Sequence, residues 1–390
     1  MRLNRCYLLL LALLLCGIAK SQESPIIIPA KMSTSVEDFI LVPVEVNGKA
    51  FWCNLDSGGS SVFSLDAKKG AAAGFKPDGV GHSAGAGPEV VADQRMHGAT
   101  VRIGSVPLAD RTIIMRSFPE EIPEMDCVMG VSLLKAYVVE IDYVTPQVRL
   151  FTAGQFRPDS TTRSIPFRIE RSNPIGDIAI VFDDSHRVTA SVILDTGAAY
   201  YSAALTAAFI GKNNVRTPAL KTARPVNGSD GGFSISAIRA ARIEAGSSRT
   251  LAPVVGLIES QSAGLPWDGV LGTGFFRQFT ATFDYGSQIL FLKPNSRFGE
   301  HQPFDGSGLG VRKDSGGKNY VVATILPDTA ASSADLRKGD VLVSIDGVEA
   351  SKLTPAEIRR LLSGSDVRRI LKAERSGKVH QVPLLLHERL

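Results

Sequence analysis

Leu55-Asp56-Ser57-Gly58 closes the apolar run Phe51-Trp52-Cys53, and Leu194-Asp195-Thr196-Gly197 closes the run Val192-Ile193. An Asp between a hydrophobic strand and a tight Gly turn sits at the rim of a core. Two such residues from related halves would meet in one cleft, where paired carboxylates share a proton and activate a water. One copy alone is weak evidence, because Asp, Ser, Thr and Gly are the ordinary residues of turns. The surroundings of each copy decide the reading.

Downstream of the first copy come Met125-Asp126-Cys127-Val128-Met129-Gly130, then Val138-Val139-Glu140-Ile141-Asp142-Tyr143, then Val148-Arg149-Leu150-Phe151. Downstream of the second come Trp267-Asp268-Gly269-Val270-Leu271-Gly272, then Thr282-Phe283-Asp284-Tyr285, then Ile289-Leu290-Phe291-Leu292. The motif Asp residues lie 139 positions apart, and both the Gly130/Gly272 and the Asp-Tyr pairs lie 142 apart. Features kept in order at nearly one offset indicate an internal duplication, with a period far too long for a solenoid. Each copy is therefore expected to be a small domain.

Both halves alternate β-branched or apolar residues with polar ones, broken by Gly, Pro, Asn and Asp. Ile40 to Val46 followed by Asn47-Gly48 reads as a strand entering a hairpin turn. Val101-Arg102-Ile103-Gly104 and Arg111 to Met115 read as further strands. Long helical periodicity is scarce. The expected fold is mainly β: two related β-barrel-like lobes over residues 36–152 and 160–294. A Pro-, Thr- and Ser-rich linker over 152–164 joins them.

A repeated Asp-Thr/Ser-Gly after an apolar strand, with an apolar-apolar-Gly later in each lobe, resembles the single-chain, bilobal aspartic peptidases, in a bacterial form of the pepsin and retropepsin group. The resemblance covers roughly Val36 to Pro294. It implies that Val128-Met129-Gly130 and Val270-Leu271-Gly272 thread beside the two catalytic loops. It implies Asp56 and Asp195 as the dyad, Gly58 and Gly197 as residues permitting the tight turns, and the hydroxyls of Ser57 and Thr196 as braces between the loops. The implied chemistry is metal-free and cofactor-free hydrolysis of peptide or protein substrates. Lobe two carries Ala198 after the motif, as retropepsins do; lobe one departs with Gly59 and then Ser60. A flap is implied at His82 to Glu89, with a lobe-two counterpart at Asn227 to Phe233, and neither contains Tyr. The implied fold also brings Cys53 and Cys127 together, either as a disulfide or as two buried thiols.

From about residue 300 the texture changes. Ser307-Gly308-Leu309-Gly310-Val311 opens a strand, and Tyr320 to Ile325 forms another. The run Gly339-Asp340-Val341-Leu342-Val343-Ser344-Ile345-Asp346-Gly347 follows. A helix is expected from Thr354 to Leu362, with Thr354 as N-cap and Pro355 in the first turn, and a strand over Val379 to Leu386. Residues 300–390 resemble a PDZ domain, a small α+β module. PDZ domains bind extended peptides, often C-termini, by strand addition. The resemblance assigns carboxylate-binding amides to Leu309, Gly310 and Val311.

Other chemistries fit poorly. Gly81-His82-Ser83-Ala84-Gly85 matches a Ser-hydrolase elbow, but no helix can start among Gly85-Ala86-Gly87-Pro88. The six His residues, at 82, 97, 186, 301, 380 and 387, lack metal-ligand spacing, so no metal is expected. Arg2 and Arg5 precede an apolar stretch from Tyr7 to Ala19, too short for a comfortable span and suited to a secretory signal over residues 1–21. Cys16 invites a lipoprotein reading, which Leu15 disfavours. The expected product is exported, periplasmic or extracellular, with no membrane span in the mature chain. The net charge of +4 loses Arg2, Arg5 and Lys20 with the leader, leaving about +1, which gives no case for nucleic acid. Two functions remain: an exported aspartic endopeptidase whose PDZ module recruits or gates substrate, or an inactive peptidase fold serving as a peptide-binding scaffold.

Overall fold

The structure is a computed structural model that describes residues 24–59, 63–84, 89–118, 122–217, 224–228, 231–259 and 266–390. The leader with Cys6 and Cys16, Ser60, and the expected flap tips at 85–88 and 229–230 lie outside the described residues. The fold is mainly β, with two related lobes followed by a small C-terminal sheet.

The lobes repeat strand for strand. In lobe one the sheet runs Ile40–Val46, Lys49–Leu55, Cys127–Met129, Phe63–Asp66, Thr112–Arg116, Val90–His97, Gly79–Ala84. In lobe two it runs Asn173–Asp183, His186–Leu194, Gly269–Leu271, Ala203–Leu205, Val254–Ile258, Gly231–Arg239, Arg224–Gly228. Each motif strand lies parallel to its apolar-apolar-Gly strand. Such inner strands carry continuous apolar runs because both their faces are covered; Val254–Ile258 is buried throughout.

The hairpin after Ile40–Val46 turns at Asn47 and Gly48, both with positive φ, as a two-residue turn between twisted strands requires. The helices of the lobes are short, of four to six residues, and each begins at or one residue past a strand end. Asp66 and Thr206, 140 positions apart, cap helices Ala67–Ala72 and Ala207–Lys212 by accepting from Lys69 N and Phe209 N. The duplication also extends to side-chain bonds. Asp126 accepts from Trp52 N at 2.7 Å, and Asp268 accepts from Ser191 N at 2.8 Å.

A central sheet joins the halves in the order Ile26–Pro29, Gln147–Phe151, Val138–Asp142, Phe279–Asp284, Ile289–Pro294, Arg163–Glu170. The linker is not a free tether. Phe156 packs between Phe151 and Phe291, and the Asp159 carboxylate pairs with Lys293. The next strand already starts at Arg163, inside the expected linker.

Cys53 and Cys127 face each other on adjacent parallel strands, with Cα atoms 4.3 Å apart, and form a disulfide in the lobe-one core.

The C-terminal sheet runs Leu309–Lys313, Tyr320–Ile325, Val341–Ile345, Arg368–Arg375, Lys378–Leu385. Helix Pro355–Leu361 covers one face through Ile358, and Thr354 and Glu357 form a reciprocal capping box at its start. This unit has its own core of Leu309, Tyr320, Val322, Leu342, Leu371 and Leu384. It is nonetheless sewn to the lobes. Ala356 N donates to Thr34 O at 3.1 Å, Arg359 donates to Ser35 O, and Glu388 accepts from Arg239 at 2.6 Å and from Phe304 N at 2.7 Å. Gln302 is buried in lobe two: its Oε1 accepts from Ser202 Oγ and Val254 N, and its Nε2 donates to Tyr200 O.

Candidate active site

Asp56 and Asp195 stand at the ends of the two motif strands, each pinned by its neighbouring strand. Asp56 N donates to Met129 O at 2.8 Å, and Asp195 N to Leu271 O at 2.9 Å. Gly130 has no room for a side chain, since a Cβ there would lie 2.0 Å from Asp56 O. Gly272 is the same case, with Ala198 O at 2.5 Å.

The loops interlock through their hydroxyls. Ser57 N donates to Thr196 Oγ1 and Thr196 N donates to Ser57 Oγ, both at 3.0 Å. Ser57 Oγ then donates to Leu194 O at 2.6 Å, and Thr196 Oγ1 to Leu55 O at 2.7 Å. All four bonds cross between lobes, and both hydroxyl residues are buried. Low-dielectric surroundings make such a satisfied network rigid.

This brace brings the carboxylates together. The two side chains are hydrogen-bonded to each other, Asp56 accepts from the amides of Gly58 and Gly59, and Asp195 accepts from Gly197 N at 2.7 Å and from Ala198 N. Glycine is required at 58 and 197 for a reason the sequence does not reveal. Neither residue has positive φ. A Cβ on Gly58 would instead lie 2.4 Å from Asp195 Cγ, and one on Gly197 2.3 Å from Asp56 Cγ. At position 59 the backbone amide supplies a donor equivalent to that of Ala198.

Burial raises both carboxyl pKa values, and Asp195 is raised well above the ordinary range because it also faces Asp56. The bond from Asp195 and the two amides counter the rise at Asp56. Together these effects favour one proton shared by the pair. Asp56 Oδ1 is buried and has no partner among the described residues.

Two tyrosines enter the site's surroundings that sequence reading used only as repeat markers. Tyr143 and Tyr285, 142 positions apart, have buried hydroxyls with no partner among the described residues. Burial first, and then nearby Asp charges that include Asp195, push both phenols up. Both lie in the hydrophobic core and stay neutral.

In the C-terminal sheet, Leu309, Gly310 and Val311 form the start of an edge strand. The amide assigned to Leu309 is already engaged: it donates to Ser307 Oγ at 3.0 Å. Gly308 N donates to Asp305 Oδ2 at 2.9 Å, so the preceding loop is closed on a carboxylate.

Residues 321–375 match the PDZ domain family, and the C-terminal unit is a PDZ domain. Among solved structures the chain is similar to a photosystem II D1 C-terminal processing protease, at 30% identity over 22% of this chain and 23% of that chain, with a TM-score of 0.21. The chain thus spans under a quarter of that protein's length. It is also similar to an aspartic proteinase from Irpex lacteus, at 15% identity over 70% of this chain and 98% of that chain, with a TM-score of 0.43. No curated protein matches the chain in sequence.

Proposed function

We propose that the chain is an exported aspartic endopeptidase that hydrolyses peptide bonds with a water held between Asp56 and Asp195. The supporting observation is the hydrogen-bonded carboxylate pair built by two duplicated loops. The ionised Asp56 takes a proton from the water as it attacks the scissile carbonyl. The protonated Asp195 donates to the carbonyl oxygen, so charge passes into a preorganised site. As the C–N bond breaks, the proton gained by Asp56 goes to the leaving amine, Asp195 takes a proton back from the hydroxyl of the tetrahedral diol, and the pair returns to its singly protonated state. Ser57, Gly58, Thr196 and Gly197 hold the two carboxylates at this spacing.

The PDZ domain recruits an extended peptide by adding it to the edge strand Leu309–Lys313. The closed Asp305–Leu309 loop favours an internal segment over a free carboxylate there, because Asp305 already takes the amides of Ser307 and Gly308. Gly310 and Val311 remain the proposed backbone contacts.

The test is digestion of a denatured protein mixture by the purified chain from pH 3 to 7, beside Asp56→Asn and Asp195→Asn variants. Cleavage by the wild type that both variants lose supports the reading. Cleavage that persists in either variant, or a wild type that cuts nothing, rejects it.

A further inference from the structure

The duplicated halves of the cleft carry opposite chemistry. In lobe one, cross-strand pairing places Asn54, Val128, Ser64, Ile114 and Arg95 in one ladder. Side chains alternate along a strand, so Asn54 shares the face of Asp56, two residues on. Cys53 and Leu55 point the other way, into the core. In lobe two the same ladder reads Ile193, Val270, Ala204, Gly256 and Ala237, on the face of Asp195.

The next register position repeats the contrast: Arg116 and Asp93 in lobe one correspond, 142 positions on, to Ile258 and Ile235. The lobe-two side chains, Ile193, Val270, Ala204, Ala237, Ile258 and Ile235, belong to one hydrophobic cluster that also holds Tyr201. In lobe one Asn54, Ser64, Arg95, Arg116 and Asp93 are polar, with Val128 and Ile114 interleaved among them. Asp93, 2% exposed, accepts from Arg95 Nε at 3.0 Å and from Ser83 Oγ. Arg116 acts on both Asp93 and Asp56.

We propose that the lobe-one half of the cleft recognises an uncharged, hydrogen-bonding substrate side chain, of the amide or hydroxyl class, and the lobe-two half an aliphatic one. This rests on the peptidase reading above. The charges in lobe one already balance one another, since Asp93 answers Arg95 and the ionised dyad answers Arg116. An added carboxylate would face the dyad, and an added ammonium would face two arginines. Asn54, 2% exposed, keeps a buried Oδ1 with no donor among the described residues. Such an orphaned acceptor is costly, and a substrate N–H or O–H relieves it. In lobe two, Leu390 packs against the cluster with Ala198, Trp267 and Phe304, so this face accepts apolar side chains, and a substrate's aliphatic side chain would take Leu390's place.

The experiment profiles cleavage sites in a peptide mixture by mass spectrometry, using the full chain and the variants Asn54→Ile and Ile193→Asn. The wild type is expected to favour Asn, Gln, Ser or Thr on one side of the cut and Leu, Ile or Val on the other. The preference over peptides aliphatic on both sides should be about tenfold or more, since a site built for a hydrogen bond rejects analogues lacking it. Asn54→Ile should abolish the polar preference at an undiminished Tm, and Ile193→Asn should weaken the aliphatic one. Aliphatic preference on both sides in the wild type overturns the proposal while leaving the peptidase reading intact. If the wild type cuts nothing, calorimetry with peptides whose scissile bond is reduced to an amine decides separately. Tighter binding of the polar–aliphatic peptide keeps the subsites and loses the enzyme; equal or absent binding loses both.

Discussion

Thr282 faces Glu140 across the central sheet, and the two are each other's counterparts in the duplication, 142 positions apart. The chain therefore pairs with its own copy at this point, and a pseudo-twofold axis passes through the pair. Ser57 and Thr196 exchange amide-to-hydroxyl bonds in the same reciprocal way. The symmetry of the backbone thus delivers two equivalent Asp residues to one place. The chemistry there becomes unequal because one proton must be shared.

The hydroxyl brace should be the most sensitive scaffold around the dyad. Thr196→Ala removes a donor to Leu55 O and an acceptor for Ser57 N, leaving buried backbone groups unpaired at about 1–3 kcal/mol each. Thr196→Ser keeps both bonds. Urea unfolding should show a loss of that order for the alanine variant and near wild-type stability for the serine one, and kcat should follow the same ranking. Equal stability of the alanine and serine variants would contradict the brace.

The dyad should destabilise the fold at neutral pH. The folded pair keeps a proton above the ordinary value of 3.8, since both carboxyl pKa values are raised. Between that value and the folded one, the unfolded chain has released protons that the native state keeps. The native state then binds more protons, so stability falls as pH rises. Asp195→Asn removes the term. Its Tm should match wild type near pH 3 and exceed it at pH 7, at roughly 2–4 °C per kcal/mol gained. A gap that shrinks with rising pH would contradict the raised pKa values. Wild-type activity should decline on the alkaline side as the pair loses its shared proton, measured as kcat/KM against pH.

Much of this was legible in the chain. The motif strands, the Asn47-Gly48 turn and the Thr354 cap follow from local patterns whose causes are local. The carboxylate pairing followed from the repeat offset, because duplicated positions meet on a symmetry axis. What escaped were properties of approach. Gly58 and Gly197 looked like turn glycines, but their role is to clear the opposite carboxylate, which lies 139 positions away in sequence. Asn54 and Arg116 are ordinary residues when taken alone; they gain meaning only against Ile193 and Ile258 in the other lobe.

The PDZ domain should be held by residues on both sides of its junction with lobe two. Gln302→Ala would leave Ser202 Oγ, Val254 N and Tyr200 O without their buried partner. A loss of about 2–4 kcal/mol is expected for a broken buried network of this size. Limited proteolysis should then release the PDZ domain near residues 295–306 faster than in wild type. Unchanged proteolysis would show that Glu388 and Arg359 suffice to hold it.

The Cys53–Cys127 disulfide should stabilise lobe one without touching the dyad directly. It closes a loop of 74 residues between strands that are already paired. Chain-entropy arguments give about 4 kcal/mol for a loop of that length, and measured values often fall near 2–4. The double variant Cys53→Ala, Cys127→Ala also loses buried sulfur packing in the core, so its loss sets an upper limit. Reduction of the wild type with a thiol separates the two contributions, because it opens the link and keeps both side chains. Cys53 lies three residues before Asp56, and Cys127 three before Gly130, on the strands that pin the motif. Loosening should therefore reach the loop: the reduced protein should lose Tm first and activity at a lower temperature than the oxidised form. Identical melting curves for the oxidised and reduced chains would show that strand pairing alone carries this part of the lobe.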